Sequence, residues 1–209
     1  MKNLGILLSG RGSNFMAIAE NVRRGAIPAQ ITAVISNRPE AQGLAHAQKL
    51  GLNALSIPSK GKAREQHDQE VIAALQAARV DLVCLAGYMR LLSPEFIRAF
   101  PQRILNIHPS LLPSFPGLEA QKQAYEYGVK VSGCTVHFVD EFLDHGAIIV
   151  QKVVPVMPDD DEHTLALRIL EQEHQAYSEA INVVLAGGYE VKGRRVVLKR
   201  TMAEGRGER

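Results

Sequence analysis

Several features that would point to a class of function are missing from this sequence. It has only two cysteines in 209 residues. Cys84 lies inside the apolar run Leu82-Val83-Cys84-Leu85-Ala86, where a reduced, buried, structural thiol is expected rather than a disulfide or a nucleophile. An excess of one charge is missing too. Lysine and arginine number 24 against 22 aspartates and glutamates, a formal net charge of +2, so nothing in the balance calls for nucleic acid or an anionic membrane. No apolar run approaches the ~20 residues a membrane helix needs. The start, Met1-Lys2-Asn3-Leu4-Gly5-Ile6, leads into a strand without a signal-peptide cleavage pattern, so a cytoplasmic location is expected. Internal repeats and linker-like stretches are absent. His137 and Cys134 share a strand without a ligand pattern around them, and no metal is expected.

What is present is an ordinary globular composition, 46% apolar and 22% charged, long enough for one sizeable core. Strand and helix signals alternate through the first half. Leu4–Leu8, Ile31–Ser36, Ala54–Ile57 and Leu82–Leu85 read as strands. Between them, Asn14–Arg24, Ala41–Leu50 and Arg64–Arg79 read as helices, and Pro94–Phe100 follows as a short helix with Ser93 as N-cap. This order predicts a doubly wound, Rossmann-like, mostly parallel α/β sheet. The second half predicts antiparallel additions. Val131–Val139 and Ala147–Val156 are β-rich and joined by a loop; a long helix runs from Asp161 to about Leu185, and a hairpin pairs Tyr189–Val191 with Arg195–Leu198. One domain over residues 1–200 is expected, with 201–209 as a disordered tail.

The stretch Asn106-Ile107-His108-Pro109-Ser110-Leu111-Leu112-Pro113 follows the short apolar strand Arg103-Ile104-Leu105. Residues two apart on a strand share a face, so Asn106 and His108 project together. An amide and an imidazole there suit hydrogen bonding to one developing oxyanion. The prolines stiffen the loop behind them, and Leu112-Pro113 is a candidate cis bond. Asp144, in Leu143-Asp144-His145-Gly146, is placed to reach His108 and favour its imidazolium, whereas His145 reads as uninvolved. Either residue of the Asn-His pair alone would be read as a strand cap; the pair with its stiff loop favours chemistry.

Ser9-Gly10-Arg11-Gly12-Ser13-Asn14 follows the first strand and opens the first helix, a place where backbone N–H groups hold anions. A dinucleotide site would want a third glycine where Phe15 stands and an acid closing the second strand, which instead ends Ser36-Asn37-Arg38. The Gly-Lys-Ser/Thr of a P-loop is absent. A small phosphate monoester fits better, against the plainer reading of a tight strand-to-helix turn. Met89-Arg90-Leu91-Leu92, after the fourth strand, offers apolar side chains and free backbone to a flat heterocycle. Arg64 opens the third helix, where it would meet a carboxylate or simply face water. Glu173 on the last helix would bind a polar substrate or face solvent.

Together these segments resemble the glycinamide ribonucleotide formyltransferases, folate-dependent enzymes of purine synthesis. The resemblance runs from Leu4 to about Ala186. Its most specific part is Asn106–Pro113 with Ser114-Phe115-Pro116-Gly117, joined by Ser9–Asn14, Ala86–Leu92 and Gln172-Glu173-His174. It implies transfer of formyl from 10-formyltetrahydrofolate, a co-substrate, to the amine of glycinamide ribonucleotide. By motif, Asn106, His108 and Asp144 match the catalytic residues. Gly12, Ser13, Asn14 and Glu173 match the ribonucleotide site. Arg64, Met89, Arg90, Leu91, Leu92, Asn106, Asp140, Glu141, Phe142, Leu143 and Asp144 match the folate site. Glu119 and Gln121 depart from the histidines of some relatives, and His145 from a small residue. The nearest rival is a 10-formyltetrahydrofolate hydrolase, whose relatives carry an added N-terminal domain; methionyl-tRNA formyltransferase carries an added C-terminal one. An NADP-binding reductase using Gly10 and Gly12 is more remote. Monomer and homodimer are equally open.

Overall fold

A computed structural model describes residues 1–199; the expected tail lies outside the described residues. Among the described residues nine strands form one sheet in the order β3-β2-β1-β4-β5-β6-β7-β9-β8. The strands are β1 (Lys2–Leu8), β2 (Ala29–Ser36), β3 (Ala54–Ser56), β4 (Leu82–Leu85), β5 (Ile104–His108), β6 (Val131–Phe138), β7 (Ile148–Pro155), β8 (Tyr189–Lys192) and β9 (Arg195–Leu198). The helices are α1 (Ser13–Arg23), α2 (Gln42–Lys49), α3 (Arg64–Ala77), α4 (Pro94–Ala99), α5 (Ala120–Tyr127) and α6 (Glu162–Ala186). Strands β1 to β5 are parallel. Strands β6 and β7 then join antiparallel, and β9 meets β7 through one parallel pair, Ile148 with Arg195. The mostly parallel sheet with an antiparallel second half is as the sequence predicts.

Period-two alternation assigns the faces. Leu4, Ile6 and Leu8 of β1 pack with Phe15 and Ile18 of α1, Leu44 of α2 and Leu165, Ile169 and Ile181 of α6. Leu7 points the other way, into a second cluster with Val71 and Leu75 of α3 and Phe96 of α4. A fully buried parallel sheet needs this double cover, because every strand presents apolar side chains on both sides. Beyond β4 the cover becomes unequal. Leu105, Ile107, Val136 and Phe138 of β5 and β6 still face the α6 side. The alternate residues Asn106, His108, Thr135 and His137 are polar, and loops rather than a helix lie over them.

One boundary at the site differs from expectation. The strand expected to end at Leu105 continues to His108, because Asn106, Ile107 and His108 pair with His137, Val136 and Thr135 of β6. Asn106 and His108 therefore stand inside a strand and on its face, rather than beyond its end. The Leu112-Pro113 bond is cis.

Candidate active site

The β5–β6 register sets the site. Asn106 lies opposite His137, and His108 opposite Thr135. His137 Nδ1 donates to the carbonyl of Phe138 at 2.7 Å, which leaves Nε2 as an acceptor in the neutral ring. Burial lowers the His137 pKa and keeps that neutral form, against smaller opposing effects of the Phe138 carbonyl and Asp144. Asn106 Nδ2 approaches His137 Nε2 at 3.3 Å. One amide hydrogen is thus held by the protein and the other is left for an incoming oxygen.

His108 is buried, with an acceptor at each ring nitrogen. Nε2 lies 2.8 Å from the Phe115 carbonyl, and Nδ1 lies 3.4 Å from Asp144 Oδ2. A neutral imidazole can donate to only one of them; the imidazolium donates to both. Asp144 is held in turn. Its Oδ2 accepts from Gly117 N at 2.8 Å, and its Oδ1 is 3.9 Å from His137 Nε2. It takes a left-handed conformation, φ 49°, which aspartate tolerates better than most residues. Gly146 is required just beyond it, since a Cβ there would stand 1.8 Å from the Phe138 carbonyl oxygen.

The loop after β5 is fastened by Thr135. Its hydroxyl donates to Ser110 O at 2.7 Å and accepts from Leu112 N at 3.0 Å. Gln151 Nε2 joins at 3.0 Å and also donates to Leu112 O at 2.9 Å.

At the carboxyl edge of β1, Gly12 is the N-cap of α1 with φ 78° and no side-chain cap, so the first helical N–H groups are left for an external acceptor. A Cβ on Gly12 would come within 3.0 Å of Gly43 Cα. Asn14 Nδ2 donates to Glu173 Oε2 at 2.7 Å, joining residues 159 positions apart. Burial raises the Glu173 pKa, and the Asn14 bond opposes the rise. Ser9 Oγ donates to Asn37 Oδ1 at 2.6 Å and accepts from Met89 N at 2.8 Å, tying this edge to the segment after β4.

Residues 2–181 match the formyl transferase family. The chain belongs to that family. Among relatives of this formyl transferase chain, the trifunctional purine biosynthetic protein adenosine-3 of Drosophila melanogaster is 51% identical over 89% of the chain. The chain spans only 14% of that longer protein. The phosphoribosylglycinamide formyltransferase of Haemophilus influenzae is 40% identical over 92% of the chain and 91% of its own length. The crystal structure of glycinamide ribonucleotide transformylase 1 from Symbiobacterium toebii superposes with a TM-score of 0.93 at 50% identity, covering 96% of this chain and 95% of that one.

Of the residues singled out from this formyl transferase sequence, Asn106, His108 and Asp144 meet in one network, and Asn14 meets Glu173. Gly12, Ser13 and Asn14 form the helix start described above. Met89, Leu91, Phe142 and Leu143 are exposed apolar side chains on the Met89–Leu92 and Asp140–Asp144 segments. Arg64 opens α3 half-exposed, with Glu65 at 3.3 Å. Glu141 is exposed. His145 is a correction: its Nδ1 lies 2.7 Å from Asp140 Oδ2 and its ring 5.2 Å from Phe142, so it fastens the loop. Thr135 and His137 were missed as site residues. The alternation placing them on one face of β6 was present in sequence; the register opposing them to His108 and Asn106 was not. Among the described residues no group of three or more metal-ligating side chains is assembled.

Proposed function

We propose that this chain transfers the formyl group of 10-formyltetrahydrofolate to the amine of glycinamide ribonucleotide, a step of purine synthesis, and that residues 1–200 act as one formyltransferase domain. The carrying observation is the convergence of Asn106, His108 and Asp144 on one polar face of β5 in a chain of the formyl transferase family. Gly12, Ser13 and Asn14 take the phosphate through backbone N–H groups, and Glu173, held by Asn14, binds the same substrate. Met89, Arg90, Leu91 and Leu92, with Asp140 to Asp144, receive the pterin, and Arg64 its carboxylate tail.

The neutral amine donates its lone pair to the formyl carbon, and the carbonyl π pair moves onto oxygen. Asn106 Nδ2 and the His108 imidazolium donate to that oxyanion, with Asp144 opposing the positive charge on His108. For His108 Nε2 to reach the substrate, it must leave the Phe115 carbonyl. Collapse of the tetrahedral intermediate breaks the bond to the folate nitrogen, which takes the proton lost by the amine through His108 or a water. The products are formylated ribonucleotide and tetrahydrofolate.

The test supplies both substrates and measures formylated ribonucleotide against free formate. Formylated product in step with tetrahydrofolate supports the reading. Formate release independent of the ribonucleotide would replace it with the hydrolase.

A further inference from the structure

The loop after β1 and the segment after β4 lie side by side at the carboxyl edge of the sheet, because β1 and β4 are neighbours. One side chain belongs to both. Ser9 is the first residue after β1 and the root of Gly10–Asn14. Its N–H donates to Gly87 O at 3.0 Å, and its Oγ accepts from Met89 N at 2.8 Å. These two bonds bracket the turn at Gly87, whose φ of 75° favours glycine. They fix the point at which Met89–Leu92 leaves the sheet. On its other side the loop is tied to α2, where Gly43 N donates to Gly10 O at 3.1 Å.

The Ser9 hydroxyl is buried, and its direction is determined. A backbone N–H can only donate, so Oγ is the acceptor towards Met89 and its own hydrogen must go elsewhere. Asn37 Oδ1 receives it at 2.6 Å, a length that suits an O–H···O bond better than an N–H···O one. That sets the Asn37 amide, with Oδ1 facing Ser9 and Nδ2 donating to Ser59 Oγ at 3.1 Å. Asn37 is itself buried, and its backbone carbonyl accepts from Ser59 N at 3.2 Å. Met89, Ser9, Asn37 and Ser59 follow β4, β1, β2 and β3, which are adjacent in the sheet in that order. They form one directed chain of hydrogen bonds across its edge. Packing alone would be served by alanine at position 9. The hydroxyl adds a bond between two segments that receive different substrates.

We infer that Ser9, aimed by Asn37, is a positioning residue that couples the two substrate sites, so that a ligand ordering Gly10–Asn14 also restrains Met89, and the converse. The second ligand then meets a segment already ordered, which gives positive coupling without a change of fold. This rests on the reading of Gly12–Asn14 as the phosphate site and Met89–Leu92 as the folate site. Neither Ser9 nor Asn37 acts on a reacting atom; each works through the segments it holds.

The experiment uses the full chain with glycinamide ribonucleotide and tetrahydrofolate, a pair that carries no formyl group and cannot react. Equilibrium dialysis gives the Kd of each ligand alone and with the other saturating. In the unaltered chain each should tighten the other about fivefold or more, by the same factor in both directions. Ser9→Ala should bring that factor close to one. Asn37→Ala leaves Ser9 able to accept from Met89 N but no longer aimed, and should lower the factor part-way. The double variant should resemble Ser9→Ala, because Asn37 acts through the hydroxyl. Tm is followed for every variant, since loss of a buried bond lowers it whatever the role. A factor close to one in the unaltered chain overturns the inference. So does a factor that survives in Ser9→Ala while Tm falls, which would make the hydroxyl a structural peg alone. If both ligands bind and couple as expected but a formyl donor yields no formylated ribonucleotide, the activity reading fails and this one stands.

Discussion

His108, with the Phe115 carbonyl at Nε2 and the Asp144 carboxylate at Nδ1, is the residue on which the chemistry turns. Asp144→Asn replaces the carboxylate that lies 3.4 Å from His108 Nδ1 while preserving shape, and kcat is expected to fall about 100-fold or more. His108→Ala should fall similarly. The double variant should lose little beyond either single one, because the pair acts as a unit; losses that multiply would show two separate roles. Glu173 gives a different expectation. Its pKa is raised in the folded state, chiefly by burial, so the folded protein holds the proton more tightly than the unfolded chain. The resulting penalty is absent below the ordinary carboxylate range, grows as pH rises through the raised value, and is complete above it. Glu173→Gln should therefore raise Tm near about pH 7 but not near about pH 3, below the ordinary carboxylate range, where the carboxyl is mostly protonated in either state. The same substitution should raise the ribonucleotide KM. A Tm gain of equal size at both pH values would contradict the burial argument.

Strand β6 and the loop after β5 act as one element. Thr135 Oγ1 holds Ser110 O and Leu112 N, and Gln151 braces the same point. Thr135→Val keeps the volume but leaves two buried backbone groups short of a partner. A loss of about 2 kcal/mol is expected by urea titration. Because Ser110–Gly117 carries both the Phe115 carbonyl and the Gly117 N–H that hold His108 and Asp144, kcat should drop as well. Full activity in a destabilised variant would mean that the loop's anchor and its catalytic geometry are independent. On the same element, His137 is kept neutral by burial, its pKa lowered. Stability from that neutral ring is present above the ordinary histidine range and lost as pH falls through it towards the lowered folded value.

At the scale of the whole molecule, α6 joins the two halves of the chain. Glu173 and Tyr177 lie one turn apart on it. The Tyr177 hydroxyl, fully buried, reaches the carbonyls of Leu85 at 3.0 Å and Leu105 at 3.1 Å, so the helix that presents Glu173 to Asn14 is rooted on β4 and β5 just beneath Asn106. Tyr177→Phe should cost about 1–2 kcal/mol in urea-induced unfolding and should raise the ribonucleotide KM more than the folate KM. Equal changes in both would mean that the contact only holds the core together. Cys84, at the same level, is free and buried, its thiol pushed up to about 12 by burial, and it remains a core side chain at neutral pH.

The order of elements, the parallel first half and the antiparallel second half were legible because hydrophobic periodicity and glycine or proline punctuation are local. Asn106 and His108 were legible as a pair because two-residue spacing fixes a shared face whatever the strand packs against. The glycine-rich turn at Gly12 was legible for the same kind of reason. What Asn106 and His108 face was not. Thr135 and His137 enter through the β5–β6 register, a pairing between residues about thirty positions apart that no local pattern specifies. His145 looked idle because its partner, Asp140, is met only when the loop closes on itself. The burial of His67 and Asp68 was hidden, because polar side chains in the first turns of a helix are ordinarily solvated and these become interior only when α3 packs beside α4. Sequence determined which residue types share a face; tertiary structure decided which faces meet, because burial and charge pairing depend on distances that the chain reaches only by folding.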